Sequence, residues 1–166
     1  MELERNFLQH KRFDPEKPYI LLVKHYSARN AEGLIALEED MTIAETVALN
    51  KYFASGHFQF VMDTYEIIDG EEVFNYRGNI ALIDPYIRSN AFNVFWSNVV
   101  QIGTELYCGY AYFPWGYHKR LINMNSECIG TVLSHEMGKK FFSEFSQEFL
   151  RTLLGIVSYT RTSWRN

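Results

Sequence analysis

The sequence predicts a helix-rich α+β fold: a single domain over residues 1–166, with a small antiparallel sheet and a long C-terminal amphipathic helix. Three observations predict it. Apolar residues recur at spacings of three and four through much of the first hundred positions, the period of a helix with one buried face. A β-prone run with turn signals, Leu106–Phe113 followed by Pro114-Trp115-Gly116, interrupts that pattern. The resulting order, helices first, strands next and a helix last, is that of α+β architectures.

Each element has its own signal. Tyr19, Val23, Tyr26, Leu34, Leu37 and Met41 fall on one helical face, with Asn30 and Gly33 weakening the stripe. Thr42 followed by Glu45 reads as a capping box, in which the two side chains take up free N–H groups of a helix's first turn. Val47, Ala48, Tyr52 and Phe53 then face inward, and Gly56 suits the left-handed cap. Phe58, Val61, Met62, Tyr65 and Ile68 favour a third helix, with a strand as the alternative because Phe60 and Ile67 spoil the stripe.

Beyond Gly70, Val73–Tyr76, Arg77-Gly78-Asn79 and Ile80–Ile83 read as a hairpin closed by Asp84-Pro85. Phe92, Phe95, Trp96, Val99 and Val100 return to helical spacing, with Gly103 as a stop. Leu106–Phe113, His118–Met124 and Cys128–Leu133 supply strands of an antiparallel meander. Phe142, Phe145, Phe149, Leu153 and Ile156 form the stripe of the C-terminal helix, with Lys139, Glu144, Gln147, Glu148 and Arg151 off it.

Composition bounds the class. At 166 residues, with 47% hydrophobic and 22% charged residues, the chain can build a core without a metal or disulfide staple. The charged N-terminal segment lacks the apolar stretch of a signal peptide, and no run reaches the ~18–20 apolar residues of a membrane helix. Two cysteines, Cys108 and Cys128, without a secretory signal point to a reducing compartment, their spacing leaves their pairing open, and Cys108 reads as a buried, inert thiol. Together these point to the cytoplasm and to no membrane association.

Motifs exclude several chemistries. There is no G-x-x-x-x-G-K-[ST], G-x-G-x-x-G or G-x-S-x-G, so the common phosphate cradles and the nucleophile elbow are missing. His135-Glu136 opens like a zinc-binding helix, but Lys139 stands where a second histidine is needed. The other histidines are scattered as surface or core residues, and no metal or cofactor is expected. Lys119-Arg120 and Lys139-Lys140 are isolated basic pairs that form no stripe, and the overall balance is acidic, which argues against nucleic acid. Ala28–Asp40, with Ser55-Gly56-His57 downstream, resembles the cytoplasmic helical segment of flagellar stator proteins, and the resemblance implies a helix there. That family is defined by membrane helices and a conducting pore, for which the sequence offers no segment, so no site or partner is carried over.

Two function classes remain. Between Ala31 and Glu72 there are ten acidic residues and one base, Lys51, a net of −9. Such a block repels phosphates and attracts basic surfaces, so the first reading is a protein-binding module. It resembles in class an immunity or inhibitor protein that masks a basic partner such as a toxin nuclease, with contacts at Glu38, Glu39, Asp40, Asp69, Glu71 and Glu72. The alternative is an enzyme or small-ligand binder using the Trp115–Arg120 region. There His118, Lys119 and Arg120 could move a proton and steady an anion beside Trp115 and Tyr117. A structural or regulatory subunit of a larger assembly is the third class.

Overall fold

The computed structural model describes residues 18–54, 58–111 and 120–144. Its centre is a five-stranded sheet, not a helical bundle. The strands are β1 (Tyr19–Arg29), β2 (Phe58–Asp69), β4 (Phe92–Ser97), β7 (Gly109–Ala111) and β8 (Leu121–Asn125), in spatial order β2-β1-β4-β8-β7. All neighbours are parallel except β7 and β8. A second, three-stranded sheet joins β3 (Asn75–Tyr76), β5 (Val99–Ile102) and β6 (Glu105–Leu106). The described helices are α1 (Glu39–Tyr52), the single turn α2 (Glu71–Phe74) and α3 (Thr131–Glu144).

Alternation along the strands builds two cores. Val23, Val94, Trp96, Ile122 and Met124 point to one face, where Leu49 of α1 and Leu133 and Met137 of α3 cover them. Tyr26, Ala28, Phe95 and Leu121 point to the other, under Val73 and Phe74 of α2, Tyr76 of β3 and Val100 of β5. Tyr26 and Phe95 stack at 4.5 Å on that second face. Each such apolar side chain, fully buried, contributes about 1.5–3 kcal/mol, which is why the sheet dominates the fold. β4 lies between both layers and is buried at every residue. A strand covered on both faces shows a continuous apolar run rather than alternation.

The predicted helix-rich α+β fold with a small antiparallel sheet is therefore overturned: strand outweighs helix among the described residues, and the main sheet is chiefly parallel. Tyr19–Arg29, read as helix, is β1, and residues 30–38, where the stator resemblance implied helix, are a loop. The capping box is not formed. Glu38 is the N-cap of α1 without a side-chain bond, while Thr42 and Glu45 lie buried within the helix. Val47 and Tyr52, expected inside, are 50% and 63% exposed.

Phe58–Asp69 is strand β2, whose stripe is spoiled by a one-residue bulge. Val23 pairs with Met62 but Lys24 pairs with Thr64, so Asp63 is extra and the inward parity changes along the strand. The expected hairpin over 73–83 is α2, β3 and a 3-10 turn at Ile80–Leu82, with Gly78 at φ +81°. The expected helix over 92–100 is β4 and β5. Cys128–Leu133 is no strand, since α3 begins at Thr131. That fourteen-residue helix is the described C-terminal element, and the stripe from Phe145 to Ile156 lies outside the described residues, as do Gly56 and His57. Cys108 is exposed and bonded to Cys128, so neither is a free thiol.

The candidate site at the carboxyl edge of the parallel strands

The βαβ unit decides where the acids go. β1 and β2 run parallel, so both end at the same edge, and α1 must start there to return antiparallel across the sheet. The start of α1 carries Glu38, Glu39 and Asp40; the end of β2 and the turn after it carry Asp69, Glu71 and Glu72. All six are exposed. The carboxylates separated by some thirty positions are thus brought to one edge by topology, where open α/β sheets place ligands.

The loop between β1 and α1 is held by its own backbone. Asn30 Oδ1 accepts from the N–H of Glu32 (3.0 Å) and of Leu34 (2.8 Å), and Gly33 turns the chain at φ +86°. The returning strand pairs Ile35 with Arg29, and Ser27 Oγ accepts from the Leu37 N–H at 2.8 Å. Tyr65, on β2, donates its hydroxyl to Leu37 O at 2.8 Å. Burial raises the Tyr65 pKa first, Ser27 opposes this, and the carboxylates of Glu38, Glu39 and Asp40 raise it further. One phenol therefore senses all three acids of the α1 start.

Asp69 is paired. Arg29 grips it with both arms of the guanidinium, Nε to Oδ1 at 2.6 Å and Nη2 to Oδ2 at 3.0 Å. The hydrogen bond from Arg29 holds the Asp69 carboxyl below its ordinary range. Glu71 accepts from Asn75 Nδ2 at 2.6 Å. Among the described residues, no ion pair engages Glu38, Glu39, Asp40, Glu71 or Glu72. Two open clefts flank Glu71. One of about 400 Å³ is lined by Arg29, Asn30, Gly33, Asp69 and Gly70. The other, of about 550 Å³, is lined by Glu72, Asn75, Arg77, Asn79 and Leu82. Arg29, Asn30 and Arg77 were not singled out from the sequence. Asn30 and Gly33 were read there only as weak points of a helical stripe, and the Arg29 partner forty positions away was not legible.

Glu45 belongs to the acidic block by sequence but not to this edge. It is 5% exposed, points toward α3, and accepts from the Gly130 N–H at 2.7 Å through Oε1. Burial raises its pKa. His25 is a core residue too. Trp96 Nε1 donates to its Nδ1 at 3.0 Å, so its proton sits on Nε2, which faces Thr46 Oγ1 at 3.0 Å. Thr46 in turn donates to Thr42 O at 3.0 Å.

Trp115, Tyr117, His118 and Lys119 of the alternative site lie outside the described residues. Arg120 is described, and its guanidinium is engaged: it donates to Ser89 O at 3.0 Å and lies 5.8 Å from the Phe92 ring centroid. His135 is exposed and Glu136 is buried on α3, so the two neighbours do not share a face. No helix among the described residues is long and apolar enough to cross a membrane.

No family model matches the chain, and no curated protein is significantly similar to it. Among solved structures, a chain of "Structure of a chaperone-substrate complex" is similar, with a TM-score of 0.52 and 13% sequence identity. The likeness covers 75% of this chain and 23% of that one. At that identity it concerns the fold alone.

Proposed function

We propose that this chain is a protein-binding module of the immunity or inhibitor type, whose acidic sheet edge covers a basic partner such as a toxin nuclease. The observation that carries the reading is the convergence of Glu38, Glu39 and Asp40 with Asp69, Glu71 and Glu72 at the edge where β1 and β2 end. Five of these carboxylates are exposed and free of ion pairs among the described residues, so their field reaches into solvent instead of being spent within the fold. Such a patch accelerates encounter with a cationic surface and selects against anionic ones.

The test is a pull-down from lysate of the source cells, washed at low and then at high salt. The native chain should retain a basic protein at low salt and release it as screening rises. The triple variant Glu38→Lys/Glu39→Lys/Asp40→Lys should bind that protein at least about tenfold more weakly. All three side chains are exposed, and the helix should pay only about 0.3–1 kcal/mol for each cation at its N-terminus. Retention of the same protein at unchanged affinity would overturn the reading.

A further inference from the structure

Strand β2 is twelve residues long and lies at the end of the main sheet, with β1 on one side and no described strand on the other. Which backbone groups face outward can be read from two contacts. Asn50 of α1 takes both backbone groups of Phe60, donating Nδ2 to its C=O at 2.9 Å and accepting its N–H at 2.7 Å. The Asn50 amide thus behaves as a short neighbouring strand, so Phe60 presents its N–H and C=O away from β1. At the other end the Gly70 N–H bonds Arg29 O on β1 at 2.9 Å. Alternation then turns the groups of Met62 outward before the bulge, and those of Tyr65 and Ile67 outward after it. Asn50 covers only Phe60. The remainder of the edge presents a row of strand donors and acceptors without a described partner strand.

The surroundings of that row have a chemistry. On α1, Asn50 faces the β2 edge, and helical spacing places Ile43 and Val47 on the same flank; they are 49% and 50% exposed. Ile67 of β2 is itself 38% exposed. Beside Tyr65, on the same face, stand Glu38, Glu39 and Asp40, and the exposed Glu66 lies on the opposite face of the strand, toward Tyr26.

We propose that the outer edge of β2 from Met62 to Asp69 is a strand-docking site that takes an extended basic segment of a partner protein as a sixth strand. This rests on the reading of the chain as a binder of basic proteins and says how the partner is held. Main-chain hydrogen bonds along β2 supply the register. Apolar side chains on one face of the segment meet Ile43 and Val47 of α1, and lysines or arginines on its other face meet Glu66, on the Tyr26 side of the sheet. A disordered or loop segment of a basic protein has the required chemistry; a preformed helix does not.

The probe is a cyclised β-hairpin peptide whose free strand alternates Val and Lys, bound to the full chain at low salt. Amide hydrogen exchange should slow at Met62, Tyr65 and Ile67 and stay unchanged along β4. A version of the peptide N-methylated on its outward amides should bind at least about tenfold more weakly, and so should the Ile67→Pro variant, which loses an outward N–H without losing a bond to β1. Equal binding by the N-methylated peptide, protection at other strands, or no binding of the unmodified peptide would overturn strand docking. A peptide with Glu in place of Lys separates the two readings. If it binds and protects β2 equally, the preference for basic partners falls with the proposed function; if only the N-methylated control fails to discriminate, the edge falls and the acidic surface stands.

Discussion

Acidification should destabilise this fold through one residue, His25. Its side chain is fully buried between β4 and α1, with Nδ1 accepting from Trp96 and Nε2 facing Thr46. Burial pushes its pKa down to about 3, against 6.5 for an exposed imidazole. A depressed pKa in the folded state means that the unfolded chain binds the proton more tightly. The folded state therefore keeps its full advantage above pH ~6.5 and loses stability as pH falls from there toward about 3. At pH 5 the unfolded chain has gained a proton that the folded chain has not, which costs about 2 kcal/mol, at ~1.4 kcal/mol per unit below 6.5. That is a large share of the stability of a small domain.

Urea unfolding at pH 7 and pH 5 measures it, for the native chain and for His25→Gln. The glutamine amide can still donate toward Thr46 but does not titrate. The exposed carboxylates and Glu45 contribute equally to both proteins, so the difference between the two pH profiles isolates His25. The native chain should lose about 2 kcal/mol more than the variant over this range, even though the variant is less stable at pH 7 for want of an acceptor for Trp96. Parallel profiles, or a folded-state His25 resonance that titrates near 6.5, would refute the buried neutral imidazole.

Two further perturbations test the packing between the sheet and α3. Gly109→Ala should destabilise by about 1–3 kcal/mol in chemical denaturation, because the new methyl would stand 2.8 Å from Glu136 Cγ, 3.0 Å from Met124 Sδ and 3.1 Å from Val132 Cγ1; an unchanged midpoint would mean that α3 does not press on β7. Removing the Cys108–Cys128 bond as a double serine variant, which opens a loop with a separation of 20 residues, should cost about 3 kcal/mol. A melting temperature insensitive both to reductant and to the double substitution would show that the bond is not made.

The acids of the site were legible in the sequence as a block, and of the expected strands His118–Met124 overlaps β8, while Leu106–Phe113 is split between β6 and β7, in two different sheets. The convergence of the acids was not legible, because it depends on β1 and β2 being parallel strands. Three physical features concealed those strands. Asp63 bulges out of β2, so Phe58, Phe60 and Met62 share a face with Tyr65 rather than with Thr64, and the mixed spacing imitates a helix. β4 is buried on both faces, so Phe92–Ser97 has no polar side for an alternation to reveal. In β1, His25 and Ser27 are polar residues inside the protein, and periodicity treats them as breaks. Each was satisfied by a partner distant in sequence: Trp96 is 71 positions from His25, and Leu37 is 10 from Ser27.

The same inversion governs α1, and it bears on function. The buried side of this helix is Thr42, Glu45, Thr46 and Leu49, while Ile43 and Val47 face solvent. A helix stabilised only by apolar burial would be turned the other way. It is held as it is because two inward polar groups bond outside the helix: Thr46 meets His25 of β1, and Glu45 takes the Gly130 N–H through Oε1, its Oε2 being buried without a partner. Those bonds fix the rotation of α1 and so present the isoleucine and valine beside the open edge of β2, with three carboxylates at the helix start. Local pattern and global structure disagree most on the one element that carries both the acidic cluster and the exposed apolar pair. Such disagreement is expected where a chain gives up internal consistency for an external contact. The proposed binding role would account for the polar interior and apolar flank of α1; a purely structural helix at this position would gain by exchanging them.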